Sequence, residues 1–188
     1  EPLLTPPSPE EPYRLNADHL EGSAASGENV LRATKVTVVH GATRVTGDSA
    51  QIYQSREFVV FHGNVKIVDG TTVMRGTEAS YDRKQRLAIL RGNVRIEDQG
   101  AVITGQEATF YRDRNFSVIT GNAMLRDSSR TLRADRIEYD RGRDIVTAIG
   151  KVKAEDRAES TTVHAGRIRY DRRADYAWAE DLPSLTLV

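Results

Sequence analysis

The chain repeats itself. Gly63, Gly92, Gly121 and Gly150 begin "GNVKI", "GNVRI", "GNAML" and "GKVKA", each 29 residues after the last, and one step further back Thr34 begins "TKVTVV". A second marker keeps the same period at Gly47, Gly76, Gly105 and Ala134, and recurs two residues late at Ala165, after "EDRAESTT". Five copies starting near 34, 63, 92, 121 and 150 therefore cover most of the 188 residues. A fixed period of this size belongs to stacked supersecondary units, each burying its apolar side against its neighbours.

Within one copy the apolar residues alternate. Val65 and Ile67 share one face while Asn64 and Lys66 point the other way, and Val94 with Ile96, Val36 with Val38, and Ala123 with Leu125 repeat the pattern. Period two predicts half-buried strands. Turn chemistry appears twice per copy. Asp69-Gly70 is a hairpin signal, with His40-Gly41 and Gln99-Gly100 at or beside the same point. A second reversal follows each tyrosine, as in "YDRKQR" from Tyr81, "YRDRN" from Tyr111, "YDRGR" from Tyr139 and "YDRRAD" from Tyr170, where Asp bonds its own backbone and basic residues solvate the tip. Two reversals per copy predict antiparallel strands and argue against the one-way coil of a parallel β-helix. The glycines inside strands predict bends or bulges.

Composition fits a slender β body. Apolar residues make up 38 %, aromatics 6 % and charged residues 29 %, with a mean hydropathy of -0.52. Lys+Arg and Asp+Glu are both 27, so no overall basic field attracts nucleic acid. No run of apolar residues is long enough for a spanning helix. There is no cysteine, which excludes disulfides, thiolate metal sites and a cysteine nucleophile. His19, His40, His62 and His164 have no ligand spacing, so no metal or other cofactor is expected, and the serine runs carry no nucleophile elbow. The carboxylates cluster at turns, and the chain is not read as an enzyme. Five of the six prolines lie in residues 1–12, an extended or disordered tether ahead of a single domain over 13–188. Beginning at Glu1 without a methionine, the chain is expected to be a mature or trimmed form.

With glycine-led "GNVKI" and "GNVRI" strands, "LRADRIEYDR" echoed by "LNADHLEG", "YDR" turns and a period of 29, the chain resembles the OstA-like family. That family includes the bridge protein of lipopolysaccharide transport and the N-terminal domain of its outer-membrane translocon. The resemblance implies an all-β fold: an elongated antiparallel β-jelly roll, open at both ends, with an apolar interior groove. It implies a periplasmic, non-enzymatic conduit that shields the acyl chains of lipopolysaccharide. Its further partners would be other OstA-like or transport-system domains, or second copies, joined end to end by β-augmentation. The proline-rich start and the tail "EDLPSLTLV" depart from the family pattern, the tail by abandoning the GNV register.

The columns of apolar residues give the expected groove lining: Val36, Val38, Phe58, Val65, Ile67, Met74, Leu87, Val94, Ile96, Ile103, Phe110, Phe116, Leu125, Leu132, Ile137 and Ile145. Lys66, Arg75, Arg95, Arg133 and Lys153 fall on the opposite, charged face. Val36 and Val38 near the first edge, and Trp178, Leu185 and Leu187 near the last, are the expected edge-strand contacts. The basic turn tips (Arg83, Lys84, Arg112, Arg114, Arg141, Arg143, Arg172 and Arg173) are either a ridge for lipid phosphates or plain solvated turns. The rival reading of the whole chain is a structural β-repeat, a scaffold or stalk, whose apolar columns close into a dry core. A carbohydrate-active β-helix enzyme is the remote third.

Overall fold

A computed structural model describes residues 13–25 and 28–187, so the proline-rich lead-in lies outside the described residues. Fourteen strands and no helix make up the described residues, and every recorded pairing is antiparallel. The chain forms two compact units, the first ending at Gln99 and the second beginning at Gly100. The first holds β1 (Arg14–Asn16), β2 (His19–Ala25), β3 (Glu28–His40), β4 (Thr43–Tyr53), β5 (Phe58–Asp69), β6 (Thr72–Asp82) and β7 (Leu87–Asp98). The second holds β8 (Ala101–Tyr111), β9 (Phe116–Arg126), β10 (Arg130–Asp140), β11 (Ile145–Asp156), β12 (Thr161–Asp171), β13 (Tyr176–Glu180) and β14 (Ser184–Leu187). From β3 on, each strand within a unit pairs with the next in sequence, an open meander. The first and last places are each filled by two short strands. β1 and β2 lie on β3, and β13 and β14 lie on β12.

The repeating glycines have two separate causes. Gly63 and Asn64 both hold positive φ, +73° and 46°, and the pair adds one residue to β5. His62 faces Glu78, and the next partners are Val65 and Gly76, so β5 advances three residues while β6 advances two. This is a β-bulge, which bends the strand and sharpens its twist. It recurs at Gly92-Asn93, Gly121-Asn122 and Gly150-Lys151. The other marker needs closeness rather than a special φ. A Cβ on Gly105 would stand 2.6 Å from Ile119 Cγ2 and 2.9 Å from the Thr120 carbonyl oxygen.

The tail keeps this geometry under a different sequence. Asp181 and Leu182 hold φ of 60° and 58° where the earlier copies have Gly-Asn, and the Asp181 carbonyl accepts from the Gly166 amide at 2.9 Å. The expectation that "EDLPSLTLV" leaves the register is corrected here, because the bulge survives without its glycine. The two extra residues of the fifth copy are absorbed in the turn between β11 and β12, where Asp156 pairs with Thr161.

The tyrosine-side turns have four residues, and the last of each has positive φ: Glu57, Arg86, Asn115, Asp144 and Asp175. Asp82 and Asp140 accept turn amides at 2.8 and 3.0 Å, as the sequence predicts. The basic tips are more than solvated. Arg83 N–H donates to the Glu57 carbonyl and Lys84 Nζ to that of Ser55, while Arg172 N–H donates to the Asp144 carbonyl and Arg173 to that of Gly142. Within each unit, successive turns are therefore bonded to one another, as Arg141 N–H to the Asn115 carbonyl also shows.

Gly150→Ala should destabilise the protein by about 1–3 kcal/mol, since it places a side chain at positive φ and drives a Cβ into Asp135. Gly142→Ala, where the nearest atom is Asp140 Oδ1 at 3.4 Å, should change stability little. Urea unfolding of the two variants makes the comparison.

Candidate functional site

Cross-strand partners point to the same face, so the register arranges side chains into ladders. On the GNV arm of the first unit one ladder runs Leu15, Val38, Val45, Ile67, Met74, Ile96. On the same arm of the second unit it runs Ile103, Leu125, Leu132, Ala154, Val163, Leu185. Val36, Val65 and Val94 stand two residues from Val38, Ile67 and Ile96 and share their face, and all three are buried. The structure thus brings ten of the expected lining residues onto this face of the GNV arms: Val36, Val38, Val65, Ile67, Met74, Val94, Ile96, Ile103, Leu125 and Leu132.

The tyrosine arm carries a second ladder. In the first unit it reads Ala33, Ala50, Phe61, Ala79, Leu90, and in the second Ala108, Ile119, Ile137, Ala148, Ile168, Ala179. Large side chains face alanines across most of it, Ala33 with Ala50 and Ile119 with Ile137 being like pairs, and all but Ala179 are buried. Phe110, two residues from Ala108, joins this face. Phe58, Leu87, Phe116 and Ile145 do not. Each lies an odd number of residues from the buried ladder member of its own strand, so it points to the opposite side, half-exposed beside a turn. There Phe58 packs on Tyr53 and Phe116 on Tyr111, with ring centroids 5.9 and 6.1 Å apart. The residues that occupy the buried face instead are Phe61, Leu90 and Ile119. They recur every 29 residues two places before the bulge glycine, which was the available signal.

The one-residue offset at the bulge connects the arms. Met74 and Ala79 are five apart on β6 and both are buried, which an unbroken alternation forbids. In the second unit the strands also turn back on themselves. Arg130, Asp156 and Thr161 sit in one cross-strand row, and Tyr170 lies nine residues further along β12. An extended strand would separate that row from Tyr170 by about 30 Å. Yet Arg130, held at 2.9 Å by Asp156, also meets the Tyr170 hydroxyl. Within this unit the two apolar ladders therefore line facing walls.

Neither wall is filled along its whole length. In the first unit Met74 and Ile96 are 1 % and 2 % exposed, while Leu15, Val38, Val45 and Ile67 of the same ladder are half-buried. In the second unit Ile103, Leu125, Leu132, Ala154 and Val163 are all only half-buried, and Leu185 is exposed. An apolar strip about five residues long stays partly open to solvent there.

The opposite face of the GNV arm carries charge, as expected. Glu97 accepts from Arg75 at 2.9 Å and Arg95 at 2.7 Å, and the same triad recurs as Glu155 with Arg133 at 2.6 Å and Lys153 at 2.7 Å. Hydrogen bonds from Arg95 and Arg75 hold the Glu97 carboxyl below its usual range, and Lys153 and Arg133 do the same for Glu155.

The outermost strands gather the exposed apolar side chains. Among the described residues the large exposed apolar side chains are Tyr13 and Leu20 at the β1–β2 end and Tyr176, Leu182, Leu185 and Leu187 at the β13–β14 end. Trp178 is half-buried on β13 under the Arg169 guanidinium, 4.9 Å from the ring centroid. Val36 and Val38 lie on β3, which β1 and β2 flank on one side and β4 on the other. A strand added at that end would meet β1 and β2, so the expected contact moves from Val36 and Val38 to the Leu20 strand.

Stacked antiparallel strands with two apolar ladders and a bulge in every copy define an all-β repeat protein. Residues 13–117 match the family described as OstA-like protein, a span of more than half the chain, and the chain belongs to that family. One similar solved structure is LptH, the LptA homologous periplasmic component of the conserved lipopolysaccharide transport device from Pseudomonas aeruginosa. The likeness has 14% identity over 97% of this chain and 99% of that one, with a TM-score of 0.34, and carries no argument here. No curated protein matches the chain.

Because Glu97 and Glu155 have depressed pKa values in the folded state, their pairing stabilises the protein above the usual carboxylate pKa, near pH 4, and is lost as pH falls through the folded-state value. The double variant Glu97→Gln, Glu155→Gln should therefore show a shallower fall of the urea midpoint between neutral and acid pH than the parent. Parallel curves would show that the triads are neutral to stability.

Proposed function

We propose that this chain is a non-enzymatic, periplasmic lipid-binding protein that shields the acyl chains of lipopolysaccharide on their way to the outer membrane. In this reading its fold is a β-jelly roll with an interior groove open at the ends, and it joins neighbouring OstA-like domains, or its own copies, through its outermost strands. Membership of the OstA-like family supports the reading. The observation that carries it is the half-open ladder of the second unit, Ile103, Leu125, Leu132, Ala154 and Val163. A closed core would have buried it along its whole length; in the corresponding ladder of the first unit only Met74 and Ile96 are buried.

The chemistry of such a strip suits transport. Each methylene of an acyl chain that leaves water for an apolar wall contributes about 0.8 kcal/mol, and the contact has no preferred direction. A chain is held while remaining free to slide from one copy of the repeat to the next. The exposed Leu20 at one end and Leu185 and Leu187 at the other support joining by strand addition, in which main-chain bonds attach the partner and side chains select it. The rival, a structural repeat with a dry core, is favoured by Met74 and Ile96 alone, since Leu15, Val38, Val45 and Ile67 of the same ladder are half-buried.

Ile103→Arg puts a charge into the proposed lining and should abolish binding of purified lipopolysaccharide while leaving a β-type circular dichroism spectrum. Thr104→Arg, on the adjacent and opposite-facing position, should bind as the parent does. Undiminished binding by a folded Ile103→Arg protein would show that this face is not the groove.

A further inference from the structure

The five copies agree so closely that a place where several copies' rules break together stands out. On the charged face, the position held by Glu97 and Glu155 in two copies is held by Arg126 in the copy between them. The strand partners of Arg126 are Val102 and Thr131, neither of them charged, and no carboxylate pairs with it among the described residues. One strand pair further on, the fifth copy inserts its two extra residues into the turn of residues 157–160. Arg157 lies in that turn, and its guanidinium donates to the Ser128 carbonyl at 3.0 Å. The two departures meet at one cleft of ≈ 460 Å³, lined by Arg126, Thr131, Arg133 and Arg157 with the hydroxyls of Ser160, Thr161 and Thr162, and by Glu155 and Asp156.

The two acids do not leave bare negative charge there. Glu155 gives one oxygen to Arg133 and the other to Lys153. Asp156 accepts from Arg130 through Oδ2 and from the Ala158 and Glu159 amides through Oδ1. Arg126 and Arg157 remain as guanidiniums without a carboxylate partner, beside donor hydroxyls on a folded turn. Planar forks of this kind match a tetrahedral oxyanion in paired hydrogen bonds. We propose that this cleft is a phosphate-binding site, peculiar to the second unit, that takes a phosphate monoester either free or carried on a lipid headgroup. Arg126, Thr131, Arg133, Glu155 and Thr162 place it on the face opposite the apolar ladder, beside the ladder's end at Asp156 and Thr161, and it does not depend on the lipid reading of that ladder.

The test is a titration of the full isotope-labelled chain with inorganic phosphate, followed by amide shifts, with chloride at matched ionic strength as reference. A second arm uses dodecyl phosphate in dodecyl maltoside micelles, against dodecyl maltoside alone. Saturable shifts at Ser160, Thr161 and Thr162 are expected. They should weaken roughly tenfold in Arg126→Ala and in Arg157→Ala, the loss of one charge-assisted contact, and not in Arg83→Ala at a remote turn tip. Arg126 and Arg157 are exposed, so neither substitution opens a core, and the spectra themselves report that each variant is folded. Shifts with inorganic phosphate assign the site to the phosphate group itself, and shifts with dodecyl phosphate alone assign it to a lipid headgroup. No saturable shift in either arm, or shifts that both alanine variants retain in full, would overturn the proposal.

Discussion

Two consecutive residues in the left-handed region, set into the middle of strands β5, β7, β9 and β11, are the constraint on which the other features depend. The pair gives its strand one residue more than the neighbour, so the inward parity changes on the neighbouring strand, as between Met74 and Ala79 on β6. A plain meander would bury one face of a continuous strand and leave the other to solvent. With the offset, each strand contributes a ladder on either side of the bulge, and in the second unit the two ladders come to face each other. The small residues that flank the bulge, Gly76, Gly105 and Ala134, follow from the same crowding, as the 2.6 Å approach to Ile119 shows.

This constraint also decides what was legible in the sequence. The GNV arm could be read directly, because Val65 with Ile67 and Val94 with Ile96 alternate without interruption. So could the turns, the charged face and the echo of "LRADRIEY" in "LNADHLEG". On the tyrosine arm the 29-residue column of Phe58, Leu87, Phe116 and Ile145 marks the wrong face. The buried positions are Phe61, Leu90, Ile119 and Ala148, three residues later, and each lies four places before Val65, Val94, Ala123 or Val152, so alternation counted back along the bulged strand reaches them. The tail shows the converse. Aspartate tolerates positive φ. Leu182 is a poor residue for it, yet the ladder on both sides and the Gly166 bond to Asp181 over-determine the backbone. Propensity alone gives no sign of it.

Burial then varies along ladders that sequence treats as uniform. Methionine and isoleucine at 74 and 96 fill one end of the first unit's ladder, while Leu15, Val38, Val45 and Ile67 there, and Leu132, Ala154 and Val163 in the second unit, leave theirs partly open. Alanine at 154 is the clearest difference, standing where the first unit has longer side chains. A lipid conduit needs such a strip, and a scaffold gains nothing from it. On the other face the ion triads of Glu97 and Glu155 are exposed, and pairs of that kind contribute little individually. They mark the face that stays in water and keep the register from slipping, since a one-residue shift would turn them into the apolar ladder.

The central claim, that the second unit's ladder is the surface that touches lipid, is tested most directly by photo-crosslinking with purified lipopolysaccharide. A photoreactive residue would stand at position 103 in one protein and at the neighbouring, opposite-facing position 104 in another. The account predicts adducts at 103 and none at 104. Equal labelling at both positions, or none at either from folded protein, would contradict it.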